Sequence, residues 1–482
     1  MLASKLLKEN WKDKSNDIEI SGIAYDSREI KPGYAFVCIK GFETDGHKFV
    51  GKAVENGAVL IVAEEEIQCD VPVCYVSNTR ETLADMACAF YSNPSEKFHL
   101  VGITGTNGKT TVTYLVKSIL EQAGHSVGII GTNQNIIGDK VLLTKSTTPT
   151  TPNSLELQNI FCEMADSGAD YVVMEVSSHA LELSRVRGCK FDVGTFTNLT
   201  RDHLDFHHTM KNYMLAKAKL FDLSAKGAIN IDDEYGKKIY EMHSDKDIIT
   251  YAINNPDADV TAKDIKFTPR GVNFNAVYKG EEYAMFLCIP GTFSVYNALS
   301  AICTCIKLGI DMQSIANGLK AAVGVLGRVE VVPTDTDYTV IIDYAHTPDG
   351  LENIILAMKS FAKGRVITLF GCGGDRDNTK RPIMGEIAGR LSDFSIITSD
   401  NPRCEEPVKI IDMIEEGMKK TDGEYIVIPD RREAIAYALD NAKADDVVIL
   451  AGKGQETYQI IGKEKFDFDE RVEVFKHLNS KR

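Results

Sequence analysis

At 482 residues, 44% hydrophobic and 26% charged, the chain is neither disordered nor fibrous in composition, and it is long enough for about three domains. A formal charge of -15 opposes adhesion to nucleic acid or to an anionic membrane, so any anionic ligand must be met by local cations or metal. Eleven scattered cysteines with no C-x-x-C pair, and no segment of membrane-spanning length, predict a cytoplasmic protein with reduced thiols and no membrane or nucleic-acid partner.

Residues 1–96 alternate short apolar runs with turns. Strands are expected at Tyr34–Ile39, Val59–Ala63 and Val73–Val76, and helices at Lys48–Asn56 and Glu81–Phe90, which makes a small α/β domain. Two polar clusters, Asp26-Ser27-Arg28 and Thr44-Asp45-Gly46-His47, flank these strands. Ser92-Asn93-Pro94-Ser95 reads as a linker.

Residues 97–333 open on the strongest signal in the chain, the stretch 99–111. An apolar run, Leu100–Ile103, stops at Thr104-Gly105-Thr106-Asn107-Gly108-Lys109, and an amphipathic helix pattern follows from Thr110 and Thr111. Backbone amides of Gly105, Thr106, Asn107 and Gly108 can surround phosphate oxygens, Lys109 adds a cation, and the hydroxyls of Thr110 and Thr111 can reach Mg²⁺ at a helix N-terminus. The expected ligand is a nucleoside triphosphate. The spacing departs from G-x-x-x-x-G-K-[ST], because Ile103 stands where the first glycine belongs.

Beyond it, strands alternate with helices, the mark of a parallel sheet covered on both faces. The strand Asp170–Val176 carries Glu175 and leads to Ser177-Ser178-His179; the strand Phe191–Thr197 leads to Asn198-Leu199-Thr200-Arg201-Asp202-His203. Both ends fall on the sheet edge that bears the glycine loop, so Glu175 and His203 are candidates to approach metal and phosphates. Ser146–Pro152 is a hydroxyl-rich loop. In the helix Met210–Leu223, Lys217 and Lys219 read, on spacing alone, as solvated stems. Val272–Leu287 predicts an antiparallel hairpin around Lys279-Gly280, Phe293–Leu308 a helix, and Thr334-Asp335-Thr336-Asp337 a hinge.

Residues 334–482 again place polar loops after strands: Asp343-Tyr344-Ala345-His346, Gly371–Asp377, Ser399–Arg403 and Gly452–Glu456. The expected fold is therefore three α/β domains: a small N-terminal one, a central P-loop ATPase-like parallel sheet and a C-terminal Rossmann-like domain.

Taken in order, Asp26-Ser27-Arg28, Gly105–Thr111, Thr147-Thr148, Met174–His179, Thr197–His203, Asp343–His346, Gly374–Asp377, Asp400-Asn401-Pro402-Arg403 and Gly452-Lys453-Gly454 resemble the Mur ligases over essentially the whole chain. These are ATP-dependent enzymes that add amino acids to peptidoglycan precursors. The resemblance implies that Ser27, Gly46 and His47 hold the UDP end of the substrate, and that Thr147, Thr148, Ser177, Arg185 and a carbamylated Lys217 hold its muramoyl-peptide. It implies ATP on Gly105–Thr111, closed over by Asn297, Arg328, Asp343 and His346, and Mg²⁺ near Thr110, Glu175, His203 and Lys217. Lys109, Lys217, His203 and Glu175 then carry the catalysis, and the reading of Lys217 as a solvated stem is reversed.

The incoming amino acid is expected at Arg376, Asp400, Asn401, Pro402, Arg403, Gly452 and Glu456. Arg403 and Arg376 offer planar donors to carboxylates and Glu456 can meet an ammonium group. Asp-Asn-Pro-Arg resembles the type that takes meso-diaminopimelate, whose distal carboxylate L-lysine lacks. Gln455 stands where many members carry histidine, and Leu183 where glutamine is frequent. The expectation is a monomer using ATP, Mg²⁺, a UDP-N-acetylmuramoyl-dipeptide and meso-diaminopimelate. The alternatives are a ligase for L-lysine or another amino acid, and a nucleotide-binding scaffold that regulates a partner.

Overall fold

The computed structural model describes all residues except 13–16, 42–43, 139, 143–147, 149, 269–270, 323, 325 and 481–482, and residue 268 by its backbone only. Thr147 lies outside the described residues. The chain divides into two compact units: Met1–Thr104 with His125–Gly194 and Ala216–Lys226, and Gly105–Gly124 with Thr195–Leu215 and Gly227–Arg482. None of the eleven cysteines is in a disulfide, and among the described residues no helix is long and apolar enough to cross a membrane.

In the first unit, strands Gly22–Ala24, Tyr34–Val37, Ala58–Ala63 and Val73–Tyr75 form a parallel sheet in chain order. Its side chains alternate between two cores. Ala35, Val37, Leu60 and Val62 pack on one face with Leu6, Leu7 and Trp11, while Phe36, Cys38, Ile61 and Ala63 pack on the other with Val50 and Ala53. Burial on both faces is why these strands read as continuous apolar runs. A second parallel set joins His99–Thr104 and Val127–Ile130 to either side of Tyr171–Glu175. Asn78 starts the helix Thr79–Phe90, its side chain accepting from the Arg80 and Glu81 amides.

In the second unit the glycine loop feeds the helix Lys109–Gln122, which packs against helices Thr292–Lys307 and Met312–Ala321. A Cβ on Gly318 would sit 2.9 Å from the Ile119 backbone nitrogen, and Ser118 Oγ donates to the Gly318 carbonyl at 2.8 Å. Gly271–Tyr278 and Glu281–Leu287 form the expected antiparallel hairpin, extended by Val260–Thr268.

The last sheet runs in the order Glu330–Val332, Thr339–Asp343, Val447–Ala451, Val366–Phe370, Phe394–Ile397, Tyr425–Val427 and is parallel except for its first strand. Strands distant in sequence meet at Val447–Ala451, so the loops that follow Asp343, Phe370, Ile397 and Ala451 share one edge at a switch point, where open α/β sheets bind ligands. One expectation is corrected here. Thr334–Asp337 is the connection of a β-hairpin, since Glu330–Val332 pairs antiparallel with Val340–Ile342 in this same sheet, and not a hinge leading into it. Gly318→Val should destabilise the chain by about 1–3 kcal/mol through overpacking at Ile119, read as a lower denaturant midpoint; an unchanged midpoint would show that the helices can separate there freely.

Candidate active site

The glycine loop is held by its own unit. Asn198 accepts the Asn107 amide at 2.9 Å on Oδ1 and returns Nδ2 to the Asn107 carbonyl at 3.1 Å; Thr197 Oγ1 donates to the same carbonyl at 2.6 Å. The Thr106 amide donates to the Asn198 carbonyl at 2.9 Å, and Thr106 Oγ1 accepts from the Thr200 amide at 3.1 Å. Gly108 precedes the helix in the left-handed region at φ 86°, and a Cβ there would strike Asn297 Oδ1. Only glycine meets both demands. Lys109 lies across the loop, its ammonium donating to the Gly105 and Thr106 carbonyls at 2.9 Å each.

Beside the loop is a cavity of about 320 Å³, lined among others by Gly108, Thr111, Asn297, Arg328, Asp343 and Tyr344. Six of the residues expected at the nucleotide, Asn107, Gly108, Thr111, Asn297, Arg328 and Asp343, are thus brought together. The Arg328 guanidinium stacks 4.5 Å above the Tyr344 ring, and its buried Nε has no hydrogen-bond partner among the described residues. Asp343 accepts the Val329 and Ala345 amides at 2.8 Å each, which fixes the loop on both sides of it; burial raises its carboxyl and Arg328 opposes that rise. Asn107 Nδ2 donates to Asp349 at 2.6 Å, a contact that sequence reasoning missed because Asp349 shares no local pattern with the loop.

His203 and His346 converge on a third group. Asp202 is buried, with His203 Nε2 at 3.5 Å, Lys380 Nζ at 3.7 Å and His346 Nε2 at 4.0 Å. His346 Nδ1–H donates to the Tyr344 carbonyl at 2.8 Å, and burial, then Lys380, hold its imidazole below the ordinary value, so it is neutral at pH 7. Asp202 stood in a motif but not among the candidate residues; Lys380 gave no signal.

At the adjoining loops Arg403 is preorganised. Its backbone, left-handed at φ 51°, bridges to Ile461, its amide donating to the Ile460 carbonyl at 3.1 Å. Nη1 donates to the Gly374 carbonyl at 2.7 Å and lies 2.9 Å from where a Cβ of Gly373 would stand, with Arg376 Cγ at 4.0 Å from the same point. The Arg403 guanidinium and the stem of Arg376 therefore both lie beside Gly373, while Arg376 Nη1 donates to the Asp375 carbonyl at 3.2 Å. Asn401 Nδ2 donates to Glu456 at 2.8 Å, and Gly452, at φ 117°, would put a Cβ 2.9 Å from Asp400. The hairpin Tyr458–Ile461 with Glu464–Asp467 that supports Arg403 was not foreseen.

In the first unit Glu175 is 1% exposed, and both its oxygens accept from Thr132, amide at 2.9 Å and hydroxyl at 3.0 Å. Ser177 caps the helix Ser178–Glu182 and shares Thr151 Oγ1 with Glu175: the Ser177 amide donates to that hydroxyl, which donates to the Glu175 carbonyl. Thr148 Oγ1 donates to the Thr151 carbonyl, as does Arg185 Nη1. Arg185 and Arg80 line one small cavity with Tyr25, Asn153 and Leu183. Burial lowers Arg185 to about 10, Arg80 adding to the fall, so an anion between these guanidinium groups would relieve them. Ser27 is buried, Gly46 donates its amide to the Ile39 carbonyl, and His47 is bound within the fold, Nδ1–H donating to Asp45 at 2.7 Å and Nε2 accepting from the Glu64 amide at 3.1 Å. Lys217 is 1% exposed, unlike a solvated stem.

Three family models match in chain order: the Mur ligase family catalytic domain over residues 19–91, the Mur ligase middle domain over 103–305 and the Mur ligase glutamate ligase domain over 327–454. The chain belongs to the Mur ligase family. A UDP-N-acetylmuramoyl-L-alanyl-D-glutamate--2,6-diaminopimelate ligase from Caldanaerobacter subterraneus subsp. tengcongensis is 52% identical over 465 residues, covering 96% of this chain and 95% of that protein. One from Clostridium tetani is 47% identical over 481 residues, 98% of each. A solved structure of a ligase of that name matches with a TM-score of 0.70 at 29% identity, over 100% of this chain and 99% of that one.

In this Mur ligase the loop conformation is the feature most easily broken. Gly108→Ala should weaken nucleotide binding about tenfold or more, given a left-handed cost of ~1–2 kcal/mol and the clash with Asn297. Titration with a fluorescent ATP analogue checks it, and unchanged affinity would contradict the fit described here.

Proposed function

We propose that this Mur ligase uses ATP to join an amine of meso-diaminopimelate to the D-glutamyl carboxylate of UDP-N-acetylmuramoyl-L-alanyl-D-glutamate, in cytoplasmic peptidoglycan precursor synthesis, acting as a monomer. The observation that carries the choice of amino acid is Arg403: its backbone is held by the Tyr458–Ile461 strand and its guanidinium stands beside Arg376, a fork suited to a second carboxylate. The names of full-length relatives at about half identity support the same substrate. We assign residues 1–96 to the UDP substrate, 97–333 to ATP and 334–482 to the amino acid.

The glutamyl carboxylate attacks the γ-phosphorus and ADP leaves; the amine then attacks the acyl carbon, gives up a proton, and the acyl C–O bond breaks with its electrons going to the departing phosphate. The protein's part is positioning and charge. Loop amides and Lys109 receive the phosphates, with Asn297, Arg328, Asp343 and His346 around the nucleotide. Ser27, Gly46 and His47 take the UDP end, and Thr147, Thr148, Ser177 and Arg185 the peptide. Mg²⁺, when bound, would offset phosphate charge; in the second unit Thr110 and His203 are proposed to serve it, and in the first unit Glu175 and a carbamylated Lys217 are the proposed oxygen donors, a ligand type that suits that hard cation. Lys217 is enclosed, as a carbamate shielded from water would be.

Phosphate release should require the UDP-dipeptide and meso-diaminopimelate together and fall about 10⁴-fold with L-lysine, which leaves the Arg403 fork unpaired; equal rates with both amines would overturn the choice of amino acid, and release indifferent to either substrate would favour the scaffold. Arg403→Ala should raise KM for meso-diaminopimelate far more than KM for ATP. Lys217→Ala should lose activity that short carboxylates partly restore, and a full loss that no carboxylate restores counts against the carbamate.

A further inference from the structure

Past the strand Val447–Ala451, the chain sends a lysine inward. Lys453 is 0% exposed, and its ammonium donates to the Tyr458 carbonyl at 2.8 Å and to Asn401 Oδ1 at 3.1 Å. It also lies 3.4 Å from Asp400 Oδ1 and 3.4 Å from Glu456 Oε2. Burying an ammonium is unfavourable unless it is paired and hydrogen-bonded, and here two stretches of chain, Asp400-Asn401 and Glu456–Tyr458, supply those partners. Because Asn401 Oδ1 accepts both Lys453 and the Ile460 amide, at 2.9 Å, the amide is fixed with Nδ2 toward Glu456 Oε2 at 2.8 Å. Among the described residues both side-chain contacts to the Glu456 carboxylate thus fall on Oε2, which leaves Oε1 as the oxygen to which no side-chain contact is made.

We propose that Lys453 is a positioning residue for the incoming amino acid: by engaging Glu456 Oε2 and Asn401 Oδ1 it presents Glu456 Oε1 to the substrate ammonium and sets the Asn401–Arg403 loop. The assignment rests on the reading of this chain as an amino-acid-adding ligase. Glu456 must be ionised to hold an ammonium. Burial raises its carboxyl and Asp400 raises it further, while Lys453 and the Asn401 amide oppose them. Tyr344 and Tyr458 also face Glu456, and Arg431, paired with Glu470 at 2.7 Å, and His346 act on it through Asp400. With Lys453 removed, Glu456 is protonated to a higher pH, so the acid limb of kcat/KM for the amino acid moves upward.

Lys453→Met in the full chain, assayed by phosphate release, should raise KM for meso-diaminopimelate at least about tenfold, leave KM for ATP within about twofold, and move that acid limb up by about one pH unit. A lysine that only supports the fold would lower the amount of active enzyme and leave KM and the limb where they are, and that result overturns the proposal. Should Lys453→Met fail to fold, Asp400→Asn/Lys453→Met, in which one charge of each sign is removed, is compared with Asp400→Asn alone. The double variant must show the same further rise in KM and the same shift of the limb; no difference between the two overturns the proposal. If the unaltered chain itself ignores meso-diaminopimelate, it is the function that fails and not the role of Lys453.

Discussion

An acidic chain that handles anions must concentrate its cations where the anions sit. With a formal charge of -15, the surface as a whole repels phosphates and carboxylates, and the architecture answers by gathering guanidinium and ammonium groups at a few loops and cavities. Lys109 lies over the glycine loop, its ammonium donating to the Gly105 and Thr106 carbonyls. Arg328 is half-buried, stacked on the Tyr344 ring and close enough to Asp343 to oppose the rise of its carboxyl. Arg80 and Arg185 crowd one cavity, and Arg403 is held by a carbonyl. Each arrangement places a positive group where a bound anion can meet it.

The complementary device is the anchoring of these cations by neutral or fully paired groups. Thr197 and Asn198 grip the loop backbone through neutral groups. Arg381 is matched by Glu405 through two hydrogen bonds, at 2.9 Å and 2.8 Å, and shapes the loop around Arg403 without competing for its ligand. Such a division between groups that hold and groups that bind keeps the site oriented while its charge stays available.

Much of this was legible where the information is local. The strand, glycine loop and helix at 99–122 follow from a run, a turn and a period, and the four polar loops of the last sheet follow from strands whose ends must lie on one edge. What stayed hidden depends on contacts remote in the chain. Asp349 reaches Asn107, Lys380 reaches Asp202, and the Tyr458–Ile461 strand supports Arg403; no spacing rule connects these pairs. Lysines mislead most, because their usual place is water. Lys217 and Lys453 are both enclosed, and only the family resemblance marked the first. Thr334–Asp337 looked like a linker because a hairpin connection and a hinge share polar composition.

The most direct test is a crystal structure of the chain with meso-diaminopimelate and a non-hydrolysable ATP analogue. The account predicts one carboxylate of the amino acid in bidentate contact with Arg403 and its neighbouring ammonium on Glu456. An amino acid bound away from the Asp400–Arg403 loop, or with Arg403 turned to solvent, would contradict it.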